Sequence, residues 1–168
     1  MACGVLVSDT GMRLAEAAGL SVSDFNLQGD IPFVEVRPHP WRSLKTSASA
    51  RVIPLSCIAL WAAQRILQQA NTPPYAFHRY NRGSRTSSNS ASAAINKWLR
   101  NYVPAGFTMH SFQHSMRDRL RAVQCPSDIA DQIGGWATDG VGQGYGSGYP
   151  IEVLMEWVKK MVAASEVG

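Results

Sequence analysis

The stretch from Met109 to Tyr149 constrains the chain more than any other part of the sequence. Read as a helix, positions 109–123 carry an apolar stripe on one face and a polar stripe on a second face. The apolar stripe comprises Phe112, Met116, Leu120 and Val123, and the polar stripe comprises His110, Gln113, His114, Arg117 and Arg121. The segment therefore predicts a helix that packs on a core and offers imidazole and guanidinium groups to a polar ligand.

Glycines divide the remainder of this stretch. A short helix is predicted from Asp128 to Ile133, and the glycines at 134–135 end it just before Trp136. A glycine-laced loop at 140–148 follows and carries Tyr145. Because glycine tolerates unusual backbone angles and close approach, such a loop is suited to presenting a tyrosine to a bulky substrate.

Length, charge and cysteine content bound the class of protein. The 168 residues, 45% of them hydrophobic, predict one globular unit with a packed core. Sixteen Lys and Arg against twelve Asp and Glu give a net charge of +4, which favours a polyanionic partner. The three cysteines lack CxxC spacing, which predicts reduced thiols and no metal site. With no apolar run near the roughly 18 residues of a membrane span and no leader, a cytoplasmic, nucleoid-associated protein is expected.

Periodicity predicts the other elements. Asp9 or Thr10 is expected to cap a helix over 11–18, with Gly19 as its stop. Alternation over 26–55 predicts a small antiparallel sheet. The strands are expected at 33–37, 41–44 and 51–53, and further helices at 58–69, 91–102 and from 150 onward. The predicted class is therefore α+β, mainly α, with a small three-stranded antiparallel sheet.

Three charged features lie outside the 109–149 stretch. Arg13 and Glu16 stand one helical turn apart, a spacing typical of a surface ion pair. Lys45 lies in the Ser-rich turn LKTSASAR before the last strand, where a lysine is ordinarily solvated. Residues 75–90 mix arginines with aromatic and hydroxyl side chains, which suits a phosphate backbone and is equally typical of a solvated loop.

Five motifs occur in a fixed order: TGMRLAEAAGL, LKTSASARVIPL, HSFQHSMRDRL, GGW and YGSGY. Taken together they resemble the catalytic domain of the tyrosine recombinases, the phage integrase family, over residues 10–160. The resemblance implies a mostly helical domain with a small sheet that embraces DNA as a C-shaped clamp. It also implies that residues 1–168 form one catalytic domain, with an N-terminal DNA-binding domain and the first catalytic-domain helix outside the chain.

The resemblance assigns roles residue by residue. In the family an arginine follows a TG pair and precedes a glutamate, which matches Arg13 and Glu16. The hairpin lysine before the RVIPL strand matches Lys45, and the histidine that opens the family's H-x-x-R motif matches His110. The resemblance therefore places these side chains around one DNA phosphate.

The last two motifs supply the remaining positions. The histidine-or-tryptophan position after a glycine matches Trp136, and the nucleophile nine residues later matches Tyr145. Tyr149 lies four residues further on and lacks that spacing. The family's second arginine, three residues after the histidine, is replaced by Gln113. Arg117, one turn away, is a poor substitute because bidentate phosphate contacts are geometrically strict.

The implied partners are a double-stranded DNA attachment site and, through the C-terminal segment, further copies of the chain in a tetramer on DNA. The basic side chains expected to contact the DNA are Arg42, Arg79, Arg82, Arg85, Lys97 and Arg117.

The implied reaction is cleavage and rejoining of a DNA strand through a 3′-phosphotyrosine, which needs no ATP, metal or other cofactor. Two guanidiniums would hold the non-bridging oxygens, Lys45 would protonate the leaving 5′ oxygen, and His110 would take the phenol proton or hold the phosphate. Trp136 would close the pocket through packing and one indole donor. With Gln113 in place of an arginine, the chemical step is expected to be impaired by roughly 10²- to 10³-fold.

Three other classes of protein share some of these features. His110 and His114 stand at i, i+4, but the HExxH glutamate of a metal hydrolase is absent. No G-x-S-x-G element favours a serine or cysteine hydrolase. The serious alternative is a noncatalytic DNA-binding or assembly module on a degenerate recombinase scaffold, which Gln113 favours.

Overall fold

The computed structural model describes residues 2–46, 49–71, 73–136 and 148–165. Its helices are α1 (Ala2–Thr10), α2 (Leu14–Ala18), α3 (Cys57–Gln69), α4 (Ser88–Leu99), α5 (Met109–Ala122), α6 (Ser127–Gly134) and α7 (Ile151–Ser165). Its strands are β1 (Phe25–Asn26), β2 (Phe33–Val36), β3 (Arg51–Pro54), β4 (Asn81–Arg82) and β5 (Arg85–Thr86). No described helix has the length and apolar character needed to cross a membrane.

The sheet confirms the predicted class. Strands β1, β2 and β3 form a three-stranded antiparallel sheet in that order, with Val36 opposite Arg51. The strand expected at 41–44 is wrong. Arg42 and His39 exchange two backbone hydrogen bonds, but they form an isolated bridge and no strand. The first strand is instead Phe25–Asn26, which is too short to show a period of two.

The first helical segment also differs from the prediction. Asp9 and Thr10 end α1 instead of capping a new helix, since the Thr10 hydroxyl donates to the Leu6 carbonyl at 2.6 Å. Gly11 has φ of +62°, a left-handed angle that breaks the helix. Helix α2 therefore starts only at Leu14, and Arg13 becomes its first flanking residue.

The five later helices confirm the periodicity. Predicted segments at 58–69, 109–123, 128–133 and from 150 match α3, α5, α6 and α7, while α4 ends at Leu99, three residues before the predicted end. Helix α1 packs against both α3 and α5, and β3 packs against α6 and α7. Fully buried side chains from these elements form one core, including Leu6, Ile53, Met116 and Leu120. This core fixes α2, α5 and the end of α6 next to one another.

We predict that Leu120→Ala lowers the free energy of unfolding by about 2–5 kcal/mol, because it leaves a cavity in this core. Its exposed neighbour Arg121 provides the control, and Arg121→Ala should change stability by less than about 0.5 kcal/mol. Urea denaturation measures both. Equal losses in the two variants would contradict the packing described here.

Candidate active site

Arg13 is anchored by the carboxylate of Glu16. Its Nη1 donates to Glu16 Oε1 at 2.8 Å, and its backbone N–H donates to Glu16 Oε2 at 2.9 Å. The pair is not the surface pair that the spacing predicted, since Glu16 is only 3% exposed while the Arg13 side chain is 27% exposed. The buried carboxylate thus orients a guanidinium whose outer edge reaches solvent.

Arg51, at the start of β3, is a second guanidinium on the same carboxylate. Its Nη2 donates to Glu16 Oε2 at 3.1 Å, and its other nitrogens donate to the carbonyls of Ile133 at 2.9 Å and Ser49 at 2.8 Å. Burial lowers the pKa of Arg51, and Glu16 opposes this shift. Sequence reasoning treated Arg51 only as the start of a strand. The signal available was a charged residue heading an otherwise apolar RVIPL run.

The Lys45 hairpin and the end of α6 meet at Arg13. Arg13 Nη1 donates to Ser49 Oγ at 3.1 Å, and Nη2 donates to the Gly135 carbonyl at 3.4 Å. Thr46 Oγ1 lies 3.0 Å from Ser49 Oγ, which fixes the base of the hairpin. Lys45 itself is exposed, and no hydrogen bond of its amine to another described residue is seen. Thr46 and Ser49 are therefore held at the site, while Lys45 is exposed.

Gln113 lies inside the fold, not on a ligand-facing stripe. It is 9% exposed, its Nε2 donates to the Gly11 carbonyl at 3.1 Å, and its Oε1 lies 2.9 Å from His110 Nδ1. His114 completes the row, with its Nε2 3.2 Å from His110 Nε2. Because Gly11 is two residues before Arg13, these contacts bring the start of α5 to the start of α2.

Trp136 covers the junction of these elements. A Cβ on Gly134 would lie 2.4 Å from the Trp136 ring, and one on Gly11 would lie 3.6 Å from it. The Arg117 guanidinium stacks over the same ring at 5.0 Å and pairs with Asp131 at 3.1 Å. Burial raises the pKa of Asp131, and Arg117 opposes that shift. Arg117 is thus engaged in its own contacts and does not occupy the second arginine position.

Tyr145, the expected nucleophile, lies outside the described residues. Tyr149 is described, and its hydroxyl donates to the Asp128 carboxylate. That hydrogen bond raises the pKa of the Tyr149 phenol. The Gln132 side chain also holds the Tyr149 backbone, accepting from N–H at 2.8 Å and donating to the carbonyl at 3.0 Å. These contacts hold Tyr149, two residues before α7, against α6. They also disfavour ionisation of the Tyr149 phenol.

Arg42 was expected to contact DNA, and the structure corrects this. The side chain is 4% exposed and donates to the carbonyls of Glu16 and Arg37. Burial lowers its pKa, and the nearby Asp24 and Glu16 oppose the shift. Arg42 therefore joins α2 to the segment after β2 and cannot reach a surface ligand.

The other expected DNA contacts lie at the surface. Arg79 and Lys97 are exposed, as are Arg82 and Arg85, which face each other across the β4–β5 hairpin. Within the described ranges, neither arginine of that pair has a carboxylate at ion-pair distance. Like charges directly opposite in a hairpin are destabilising, so the pair suits an anionic partner.

Metal binding receives no support from the described side chains. His110 and His114 face each other with ring centroids 4.8 Å apart. Among described residues, no group of three or more His, Cys, Asp or Glu is arranged to hold a metal ion.

Comparison with known proteins identifies the family of the chain. The model described as "Phage integrase family" matches residues 3–147, and the chain belongs to the phage integrase family. At the level of the family, membership supports DNA integration and recombination by a tyrosine recombinase. No curated protein matches the sequence significantly.

Solved structures of the Tn1549 transposon integrase share the fold. One, in complex with a circular intermediate DNA, has a TM-score of 0.60 and 15% identity. Another, in complex with transposon right end DNA, has a TM-score of 0.54 and 18% identity. Each match covers 98% of this chain and 57% of the integrase chain, so this chain spans a little over half the length of those relatives.

We predict that Glu16→Ala lowers the free energy of unfolding by about 3–5 kcal/mol, because two guanidiniums lose their shared buried partner. The control is Glu35→Ala, which breaks a half-exposed pair with Arg37 and should cost under about 1 kcal/mol. Urea denaturation compares the two. A loss for Glu16→Ala no greater than that for Glu35→Ala would show that the buried carboxylate is not a structural centre.

Proposed function

We propose that the chain is the catalytic domain of a site-specific tyrosine recombinase, which cleaves and rejoins DNA strands through a 3′-phosphotyrosine. One observation carries the proposal. Arg13, His110 and Trp136 belong to three separate elements. Arg13 donates to the Gly135 carbonyl, and His110 is linked through Gln113 to the Gly11 carbonyl. The Trp136 ring lies beside Gly11. Such convergence around one partly exposed guanidinium supports a single phosphate site.

The chemistry follows from the side chains available. Tyr145 is the proposed nucleophile: its oxygen gives its proton to His110 and bonds to phosphorus, while the bond from phosphorus to the 5′ oxygen breaks. Arg13, which Glu16 orients, stabilises charge on the non-bridging oxygens. The exposed amine of Lys45 is the proposed acid for the departing 5′ oxygen. No cofactor enters this scheme.

Duplex DNA is the proposed substrate and partner. The net charge of +4 and the facing pair Arg82 and Arg85 favour contact with phosphates, and Arg79 and Lys97 add exposed charge. The β4–β5 hairpin, which carries this pair, is close to the site, because Asn81 donates to the Ala18 carbonyl at the end of α2. Helix α2 has five residues and rises only about 7.5 Å from Arg13 to that end. The related integrase structures are complexes with DNA.

With Gln113 in place of an arginine, we expect slow DNA strand cleavage and nearly normal DNA binding. A neutral amide keeps hydrogen bonding but lacks the charge of a second guanidinium, and Arg117 is committed to Asp131 and Trp136. The second candidate function is therefore a noncatalytic DNA-binding module. Formation of covalent adduct separates the two.

Assembly is also a proposal. Residues 1–168 would act as the catalytic domain of a longer arrangement that includes a further DNA-binding domain, and the C-terminal segment would join copies into a tetramer on DNA. We expect the isolated chain to bind DNA weakly and to remain below a tetramer without DNA. Light scattering that shows a stable tetramer in the absence of DNA would contradict this.

We predict that Tyr145→Phe abolishes covalent adduct on a nicked attachment-site substrate, because the nucleophilic oxygen is removed. Tyr149→Phe is the matched control and should retain adduct, since the Tyr149 hydroxyl bonds Asp128. Denaturing gel electrophoresis of labelled DNA measures both. Loss of adduct in Tyr149→Phe alone would reassign the nucleophile.

We predict that Gln113→Arg raises the rate of adduct formation by roughly 10²- to 10³-fold, because its longer side chain adds a second guanidinium to the site. DNA affinity should change far less, because many other phosphate contacts carry it. Gln64→Arg on the exposed face of α3 adds the same charge elsewhere and controls for that charge. Abundant adduct from the unaltered chain, with no gain in Gln113→Arg, would contradict the proposed impairment.

A further inference from the structure

A chain of hydrogen bonds runs from Gly11 through Gln113 and His110 to His114, and its direction is fixed by one end. The Gly11 carbonyl can only accept, so the atom of Gln113 that faces it at 3.1 Å must be the amide nitrogen. The carbonyl oxygen of Gln113 must then face His110 Nδ1 at 2.9 Å. The backbone of Gly11 therefore determines which end of the amide meets the imidazole.

An amide oxygen beside Nδ1 requires a proton on Nδ1. If neutral His110 carried its proton on Nε2, two lone pairs would face each other across 2.9 Å. The ring forms compatible with the contact are the neutral Nδ1–H tautomer and the imidazolium. In the neutral form, Nε2 carries a lone pair.

His114 is the partner of that lone pair. Its Nε2 lies 3.2 Å from His110 Nε2, with the two ring planes 89° apart. One proton can occupy this contact, so neutral His114 donates it. His114 is exposed, whereas Gln113 is buried. The exposed ring can turn away and free Nε2 of His110, while the buried amide continues to hold Nδ1.

We propose that Gln113 is a positioning residue that fixes His110 in the Nδ1–H form, so that His110 presents a proton acceptor to the site and not a donor to a phosphate oxygen. The inference rests on the proposed function for what that acceptor does. The O–H bond of the attacking hydroxyl breaks as an Nε2–H bond forms, and the Gln113 oxygen stabilises the resulting imidazolium through Nδ1–H.

An arginine at position 113 would have the opposite effect on the His110 tautomer, an effect separate from the positive charge that it adds to the site. Arginine carries five N–H donors and no acceptor, so it cannot receive a hydrogen bond from Nδ1–H. Beside it, neutral His110 would keep Nδ1 as the acceptor and place the proton on Nε2. The departure from the family pattern at Gln113 therefore reverses the polarity of the adjacent imidazole as well as removing a charge.

Long-range ¹H–¹⁵N correlation spectra of the full chain labelled with ¹⁵N-histidine test the proposal directly. At about pH 8.5, where an ordinary imidazole is neutral, His110 should show a protonated Nδ1 and an unprotonated Nε2. The sequence holds four histidines, and His110→Ala identifies the signals of interest. A neutral Nε2–H tautomer at His110 in the unaltered chain would overturn the proposal.

Two variants show whether Gln113 is the cause. Gln113→Arg should exchange the two ¹⁵N resonance positions of His110. Gln113→Met is similar in size but lacks the amide, and it should abolish the preference for Nδ1–H. The methionine variant therefore tests the role of Gln113 even if the arginine variant does not fold. Gln64→Arg should leave the spectrum unchanged. Retention of the full Nδ1–H preference in folded Gln113→Met would refute the role of Gln113. These spectra need no DNA, so the inference can fail while adduct formation succeeds, and the reverse.

Discussion

The buried carboxylate of Glu16 is the contact on which the rest of the site depends. The carboxylate accepts hydrogen bonds from the backbone and guanidinium of Arg13 and from the guanidinium of Arg51. The backbone carbonyl of Glu16 accepts a further one from Arg42. Burying a carboxylate alone costs several kcal/mol, and this one is compensated by two cations. Two guanidiniums against one carboxylate leave an excess of positive charge, and the open edge of Arg13 directs that excess outward. An anionic oxygen is the ligand that would balance it.

Much of the fold could be predicted because most helices follow their apolar period closely. Apolar spacing, together with glycine and proline signals at helix ends, predicts helices α3, α5, α6 and α7. The prediction for the first helix was wrong because Asp9 and Thr10, residue types that favour a helix N-terminus, lie at the end of α1. Here Thr10 bonds back to Leu6 and Asp9 pairs with Arg119, contacts that depend on the fold. A two-residue strand such as β1 has no pattern to detect.

The sequence predicts which residues belong to the site better than it predicts the contacts that those residues make. The motifs named Arg13, His110 and Trp136, and the structure brings their elements together. Local sequence could not separate a buried arginine from an exposed one, so Arg42 was placed on the surface and Arg51 was missed. Each donates to a carbonyl that is distant in sequence, Arg42 to that of Glu16 and Arg51 to that of Ile133. Gln113, which periodicity placed on the polar stripe, likewise contacts Gly11, a neighbour that helical periodicity does not reveal.

The contact between Gly134 and Trp136 also bears on how related chains can diverge. A Cβ at position 134 would overlap the indole ring at 2.4 Å, so no larger residue fits there while the tryptophan keeps its place. A smaller ring at position 136 would remove that overlap. The two positions are therefore expected to covary: chains with the large aromatic should retain glycine two residues earlier, and chains with histidine should be released from that restriction.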